Sequence, residues 1–152
     1  MKLLLMVAAW LAVPAAAEPP SGPEATAEPP IVPEARAFMD AYGRDLARGD
    51  REAIVRRYDG RGAWHLGRGA KQYATIPQIR AIYTDEAWTP PAAFAWRNLS
   101  YEALGPDAVV VASQFEWTSA GRMVTYSYTG LLVREDGQLR IRLEDEDPEP
   151  GR

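Results

Sequence analysis

The chain has 152 residues, with 17 basic against 21 acidic side chains, a formal net charge of −4 and no cysteine. Its arginines are scattered among acids with no basic stripe, which argues against nucleic acid as a partner. The missing thiols exclude disulfides, thiolate catalysis, thiolate metal sites and a lipid anchor on an N-terminal cysteine.

The opening MKLLLMVAAWLAVPAAAEPP sets Lys2 before an apolar run over residues 3–13, then Pro14 and the small series Ala15, Ala16 and Ala17. This is the pattern of a secretory signal peptide over residues 1–17. The run is too short to span a bilayer, which takes about 20 apolar residues. The expectation is a periplasmic or secreted protein with no membrane anchor after cleavage. Residues 18–33, EPPSGPEATAEPPIVP, hold too little apolar surface to offset the entropy of ordering, and predict a disordered Pro/Glu-rich tether. One folded domain is expected over 34–147, with a short tail at 148–152.

Helical spacing begins at Pro33-Glu34-Ala35, where Phe38, Tyr42 and Leu46 recur every four residues on one apolar face. Gly49 ends that helix and Asp50 caps a second one, whose buried side carries Ile54, Val55 and Tyr58. Asp59-Gly60-Arg61-Gly62 reads as a turn. The stretch GAWHLGRG follows, with His65 the only histidine in the chain. Thr75-Ile76-Pro77-Gln78 has the form of a capping box opening a third helix with Ile79, Ile82 and Tyr83. Thr89-Pro90-Pro91 stops it. From residue 94 the period becomes two. Strands are expected over 94–104, 108–118, 123–134 and 139–147, separated by turn sequences. Helices followed by a meander make an α+β layout.

The last strand, LRIRLEDED, alternates strictly. Leu139, Ile141, Leu143 and Asp145 share the apolar face, while Arg140, Arg142, Glu144 and Glu146 share the face expected to meet solvent or a partner.

This order of elements resembles the nuclear transport factor 2-like superfamily, and within it the SnoaL-like domains. The resemblance is carried by the first helix ending in LARGD, the short helix and turn EAIVRRYDGRGAW, the helix TIPQIRAIY and the closing hairpin YSYTGLLVREDGQLRIRLED. It implies a cone-shaped, curved antiparallel or mixed sheet wrapped around three N-terminal helices, with an apolar pocket, and association as a homodimer through the outer face of the sheet. Some relatives are ketosteroid isomerases, polyketide cyclases or dehydratases. Counting from LARGD, Tyr42 falls where the isomerases carry an oxyanion-binding tyrosine, and Leu66 falls near their catalytic aspartate. Leucine takes no proton, so that isomerase chemistry is not expected here.

If Trp64 to Leu66 is extended, Trp64 and Leu66 share a face and His65 points away from it; the resemblance implies that the pocket lies on the Leu66 side, and a bulge permitted by the nearby glycines would reverse this. Asp145 is the expected polar pocket residue, with Tyr42 as hydrogen-bond donor. Trp88, Trp96, Tyr126 and Tyr128 would line the rest with aromatic surface. Glu116 and Gln114 could face either way. The acids of EDEDPEP alternate along a strand and do not converge on a calcium ion. One histidine without cysteine makes a metal site improbable, and no cofactor is expected. The function these observations favour is binding of a small apolar or aromatic molecule. The rival readings are a cofactor-independent isomerase, cyclase, dehydratase or hydrolase using Asp145 or His65 as base, and a homodimeric interaction module of the envelope.

Overall fold

The structure, a computed structural model, describes residues 27–149. The expected signal peptide, most of the tether and residues 150–152 lie outside the described residues.

Helix α1 spans Ile31–Arg48 and so begins inside the segment read as tether. Ile31 and Val32 are buried, and that packing is what the proline count concealed. Pro33 is tolerated in the first turn, where a backbone N–H has no intrahelical partner. Gly49 closes the helix at φ 65°, a left-handed conformation that glycine adopts without strain. Asp50 then caps α2, Arg51–Val55, by accepting from the Ala53 N–H at 3.0 Å. Helix α3 spans Ile76–Thr84, and the Gln78 side chain accepts from the Thr75 N–H at 2.9 Å as the capping box requires.

The strands are β1 Ala63–Gly67, β2 Ala70–Ala74, β3 Ala93–Ala103, β4 Ala108–Ser119, β5 Arg122–Glu135 and β6 Gln138–Pro148. They form one mixed sheet in the order β2-β1-β6-β5-β4-β3. Only β1 and β6 run parallel; the other neighbours are antiparallel. The sheet curls around the helices without closing, since its edge strands β2 and β3 do not pair. The GAWHLGRG stretch is thus half of a hairpin joined to the meander through β6.

Two irregularities shape the curl. In β3 the register shifts between Arg97 and Ser100, with Asn98 at φ 54°; asparagine tolerates that region better than most side chains. In β6, Leu143 pairs with Leu131 and Ile141 with Leu132, leaving Arg142 as an extra residue. The second bulge reverses the parity of the strand. Leu139 and Ile141 are buried, but beyond Arg142 the buried position is Glu144. The strict alternation in the sequence therefore assigned the wrong face to the last third of β6. The bulge falls where the edge of β6 changes partners. Ile141 exchanges backbone hydrogen bonds with Arg57 and Asp59 at 2.8 and 3.0 Å, and β1 pairs from Leu143 onward. The Arg142 guanidinium donates to the Gly62 carbonyl at 2.6 Å.

The core lies between α1 and the concave face of the sheet. Ala35, Met39, Tyr42 and Leu46 of α1 meet Val109, Val111, Phe115, Tyr128, Leu132 and Ile141. The Trp96 indole lies across Gly43 and donates to the Met39 carbonyl at 3.0 Å. Asp45 is buried where α1 meets α2, held by Arg48 at 2.6 Å and by two bonds from Arg57 at 2.9 and 2.6 Å.

Candidate functional site

A recess of about 440 Å³ opens between the helices and the concave side of the sheet. Its floor is built around Glu144, which is 3% exposed. One carboxylate oxygen accepts from the Tyr42 and Tyr128 hydroxyls, both at 3.1 Å; the other accepts from Tyr58 at 2.6 Å. The Tyr83 hydroxyl stands 2.9 Å from that of Tyr58. With the Tyr58 O–H directed at Glu144, Tyr83 must donate to the Tyr58 oxygen. Helix α1, the segment after α2, helix α3 and strand β5 each contribute one phenol to this network. Burial, and then the charge of Glu144, holds Tyr42, Tyr58 and Tyr128 well above the ordinary phenol range, so they remain donors. No arginine or lysine among the described residues pairs with Glu144. The phenols, not a cation, compensate it.

Two residues further on, Glu146 faces the same recess, where water reaches its carboxyl. The surrounding walls still deprive that carboxyl of bulk hydration. This loss, followed by the charges of Glu144 and Asp145, raises its pKa to about 8. His65 lies beside Glu144 in the parallel register of β1 and β6. Its ring rests against Tyr58 with centroids 5.6 Å apart, and its Nε2 is buried without a hydrogen-bond partner. A buried nitrogen of this kind is costly unless something enters to meet it.

Aromatic surface forms the upper walls. Phe115 stacks between Phe94 at 5.5 Å and Tyr126 at 4.8 Å. Trp96 and Trp117 meet Phe94 edge-on, and Trp88 meets Tyr83 edge-on at 5.2 Å. At the mouth, Arg68 sits in a left-handed turn at φ 51°, its N–H donating to the Asp147 carboxylate. Gly67 passes so close to β6 that a side chain would collide with the Glu146 carbonyl.

Among the residues expected from sequence, Tyr42, Leu66, Trp88, Trp96 and Tyr126 line the recess. Tyr128 stands behind its wall as a donor to Glu144. Two expectations are corrected. Asp145 does not enter the recess, because the Arg142 bulge places Glu144 and Glu146 there instead. Trp64 turns outward onto Tyr73, with ring centroids 5.3 Å apart, while His65 faces in; β1 is regular there, and its inward parity is set by buried Ala63. Tyr42 is not a free donor, since its proton is engaged by Glu144. Glu116 faces away and pairs with Arg97 at 2.7 Å. Sequence reasoning missed Glu144, Glu146 and Tyr83 as site residues, and saw Tyr58 only as a helix-face residue. No group of three potential metal ligands occurs among the described residues.

No family model and no curated protein matches the chain. Solved structures do. One is an NTF-2 like protein of unknown function from Shewanella oneidensis, 13% identical with a TM-score of 0.69, covering 77% of this chain and 98% of the other. A ketosteroid isomerase-like protein from Erwinia carotovora atroseptica is 15% identical with a TM-score of 0.63, covering 78% and 96%. An NTF2-like protein with a cystatin-like fold from Novosphingobium aromaticivorans is 16% identical with a TM-score of 0.64, covering 80% and 83%.

The chain has the nuclear transport factor 2-like fold.

At these identities the likeness concerns architecture alone. Within this nuclear transport factor 2-like domain, Glu144 and its phenols occupy the closed end of the recess, and the aromatic walls occupy the open end.

Proposed function

We propose that this domain binds a compact, mostly apolar small molecule in the recess, with the aromatic walls holding its body and a polar end reaching His65 and Glu146. One observation carries the reading: a hollow of about 440 Å³, the size class of small-molecule sites, walled by aromatic rings with His65 and Glu146 among its lining residues. A fully packed core would leave no such hollow. The N-terminal pattern supports export to the periplasm or the medium, and the fold supports pairing of two copies through the outer face of the sheet.

The test is a calorimetric and thermal-shift screen of compact aromatic compounds against the whole chain, with Trp96→Ala as the wall variant. Binders should raise the melting temperature and lose affinity in the variant. No binder from a broad set, with no compound retained in native mass spectrometry, would sink the reading.

The place of His65 in the recess lining favours a second reading, cofactor-independent acid–base chemistry with His65 as the base. Asp145 has no part in it, because it lies on the other face. Turnover of a bound compound that disappears in His65→Gln, with binding retained, would separate catalysis from simple capture.

A further inference from the structure

The walls of the recess carry an imbalance of charge. Glu144 and Glu146 both project into it, and Arg68 is the only arginine or lysine among its lining residues. Arg68 is exposed, on the turn at the mouth. The chain has 17 basic side chains, but those near the site are engaged elsewhere. Arg48 and Arg57 hold Asp45, Arg61 holds Asp59, Arg142 reaches the Gly62 carbonyl, and Arg51, stacked on the Trp88 ring, donates to the Tyr83 and Trp88 carbonyls. The phenols of Tyr42, Tyr58 and Tyr128 are turned toward Glu144 and offer no O–H to an incoming anion. The Glu146 carboxyl has no hydrogen-bond donor to compensate it. Above these acids lie the rings of Trp96, Phe94, Trp117 and Tyr126, and an aromatic face attracts a cation and repels an anion.

From this arrangement we propose that the recess selects an organic cation, a protonated or quaternary amine on an apolar body, with its charge between Glu146 and the aromatic wall. This deepens the small-molecule reading and rests on it. A neutral ligand would leave Glu146 without a countercharge. An anionic one would face the Glu144 carboxylate, with exposed Arg68 at the mouth as the one cationic side chain of the lining. The groups facing Glu146 are Glu144 on its own strand, Tyr128 from β5, Tyr42 from α1, Tyr83 from α3, His65 from β1 and Arg68 from the turn after it, with the charge of Asp145 adjacent. Burial and the two neighbouring acids raise the carboxyl of Glu146. A cation seated beside it would lower it again and release a proton to solvent near neutral pH.

The experiment uses three probes with one aromatic body: 1-naphthylmethylammonium, 1-naphthylmethanol and 1-naphthoate, titrated calorimetrically into the whole chain at pH 7 in buffers of different ionisation enthalpy. The ammonium should bind at least tenfold tighter than the alcohol, and the naphthoate weakest. Its binding should release protons. Glu146→Gln should remove the tenfold preference for the ammonium over the alcohol and the proton release; unchanged far-ultraviolet circular dichroism establishes that the variant is folded. An alcohol that binds as tightly as the ammonium, or a naphthoate that binds tightest, overturns the cation proposal and leaves the small-molecule site standing. Failure of all three to bind, in heat or in thermal shift, overturns both.

Discussion

The Tyr58 hydroxyl donates to the Glu144 carboxylate at 2.6 Å while lying 2.9 Å from the Tyr83 hydroxyl. One phenol therefore joins α3 to β6 through the floor of the recess. Tyr58→Phe removes a donor from the buried carboxylate and an acceptor from Tyr83 together. Hydrogen bonds to charged groups contribute about 1.5–3 kcal/mol, so the variant should lose about 2 kcal/mol in urea denaturation. Tyr128→Phe should lose less, because Tyr42 serves the same carboxylate oxygen. Equal losses would mean that the shared oxygen does not buffer the deletion.

Glu146 ties stability to pH. Its carboxyl has an ordinary value of 4.5 and is raised to about 8 in the folded chain. Between those values the folded state keeps a proton that the unfolded state has released. This contribution is complete below the unfolded value and is lost as pH rises through the folded one. The urea midpoint of the wild type should fall between about pH 5 and 9, and the same fall should be shallower in Glu146→Gln. Parallel profiles for the two proteins would show that Glu146 does not carry the effect.

Much of the architecture was legible because it is encoded locally. The Phe38, Tyr42 and Leu46 stripe, the Gly49 stop and the Thr75–Gln78 box all act within a few residues, and each stands in the structure. The faces of β6 were not legible. The Arg142 bulge is imposed by pairing with residues 57–59 and with β1, and no glycine or proline beside Arg142 marks it. Period-two reading carries Leu139 and Ile141 correctly to the core, then delivers Asp145 where Glu144 and Glu146 belong. A one-residue slip exchanges the two faces of a strand. Trp64 was misassigned for a related reason. Its face was inferred from Leu66, although His65 shares its parity with buried Ala63.

The parity reversal gives a direct comparison of substitutions. Asp145→Asn changes a carboxyl outside the recess, whereas Glu144→Gln changes the one that receives the phenols. The glutamine amide can accept at one position but presents N–H groups at the other, so one phenol would meet a donor. Asp145→Asn should shift the urea denaturation free energy by less than about 0.5 kcal/mol, as for ordinary surface changes. Glu144→Gln should cost about 2 kcal/mol through the mismatched donor. A larger loss at Asp145 than at Glu144 would restore the unbulged strand.

Gly43 sets the depth of the recess. A Cβ built there would lie 2.8 Å from Trp96 Nε1 and 3.2 Å from the Phe94 ring. Gly43→Ala therefore forces the indole away from α1 and weakens its 3.0 Å bond to the Met39 carbonyl. Helix propensity alone would favour the alanine by about 1 kcal/mol, but crowding a packed contact costs about 1–3 kcal/mol. The backbone at Gly43 is ordinary helix, so steric crowding is the effect that decides the sign. The variant should be net destabilised, its tryptophan emission should shift to the red as Trp96 loses cover, and its affinity for any recess ligand should fall. A more stable Gly43→Ala protein with unchanged emission would mean that the indole does not rest on α1, and the inner wall of the recess would have to be redrawn.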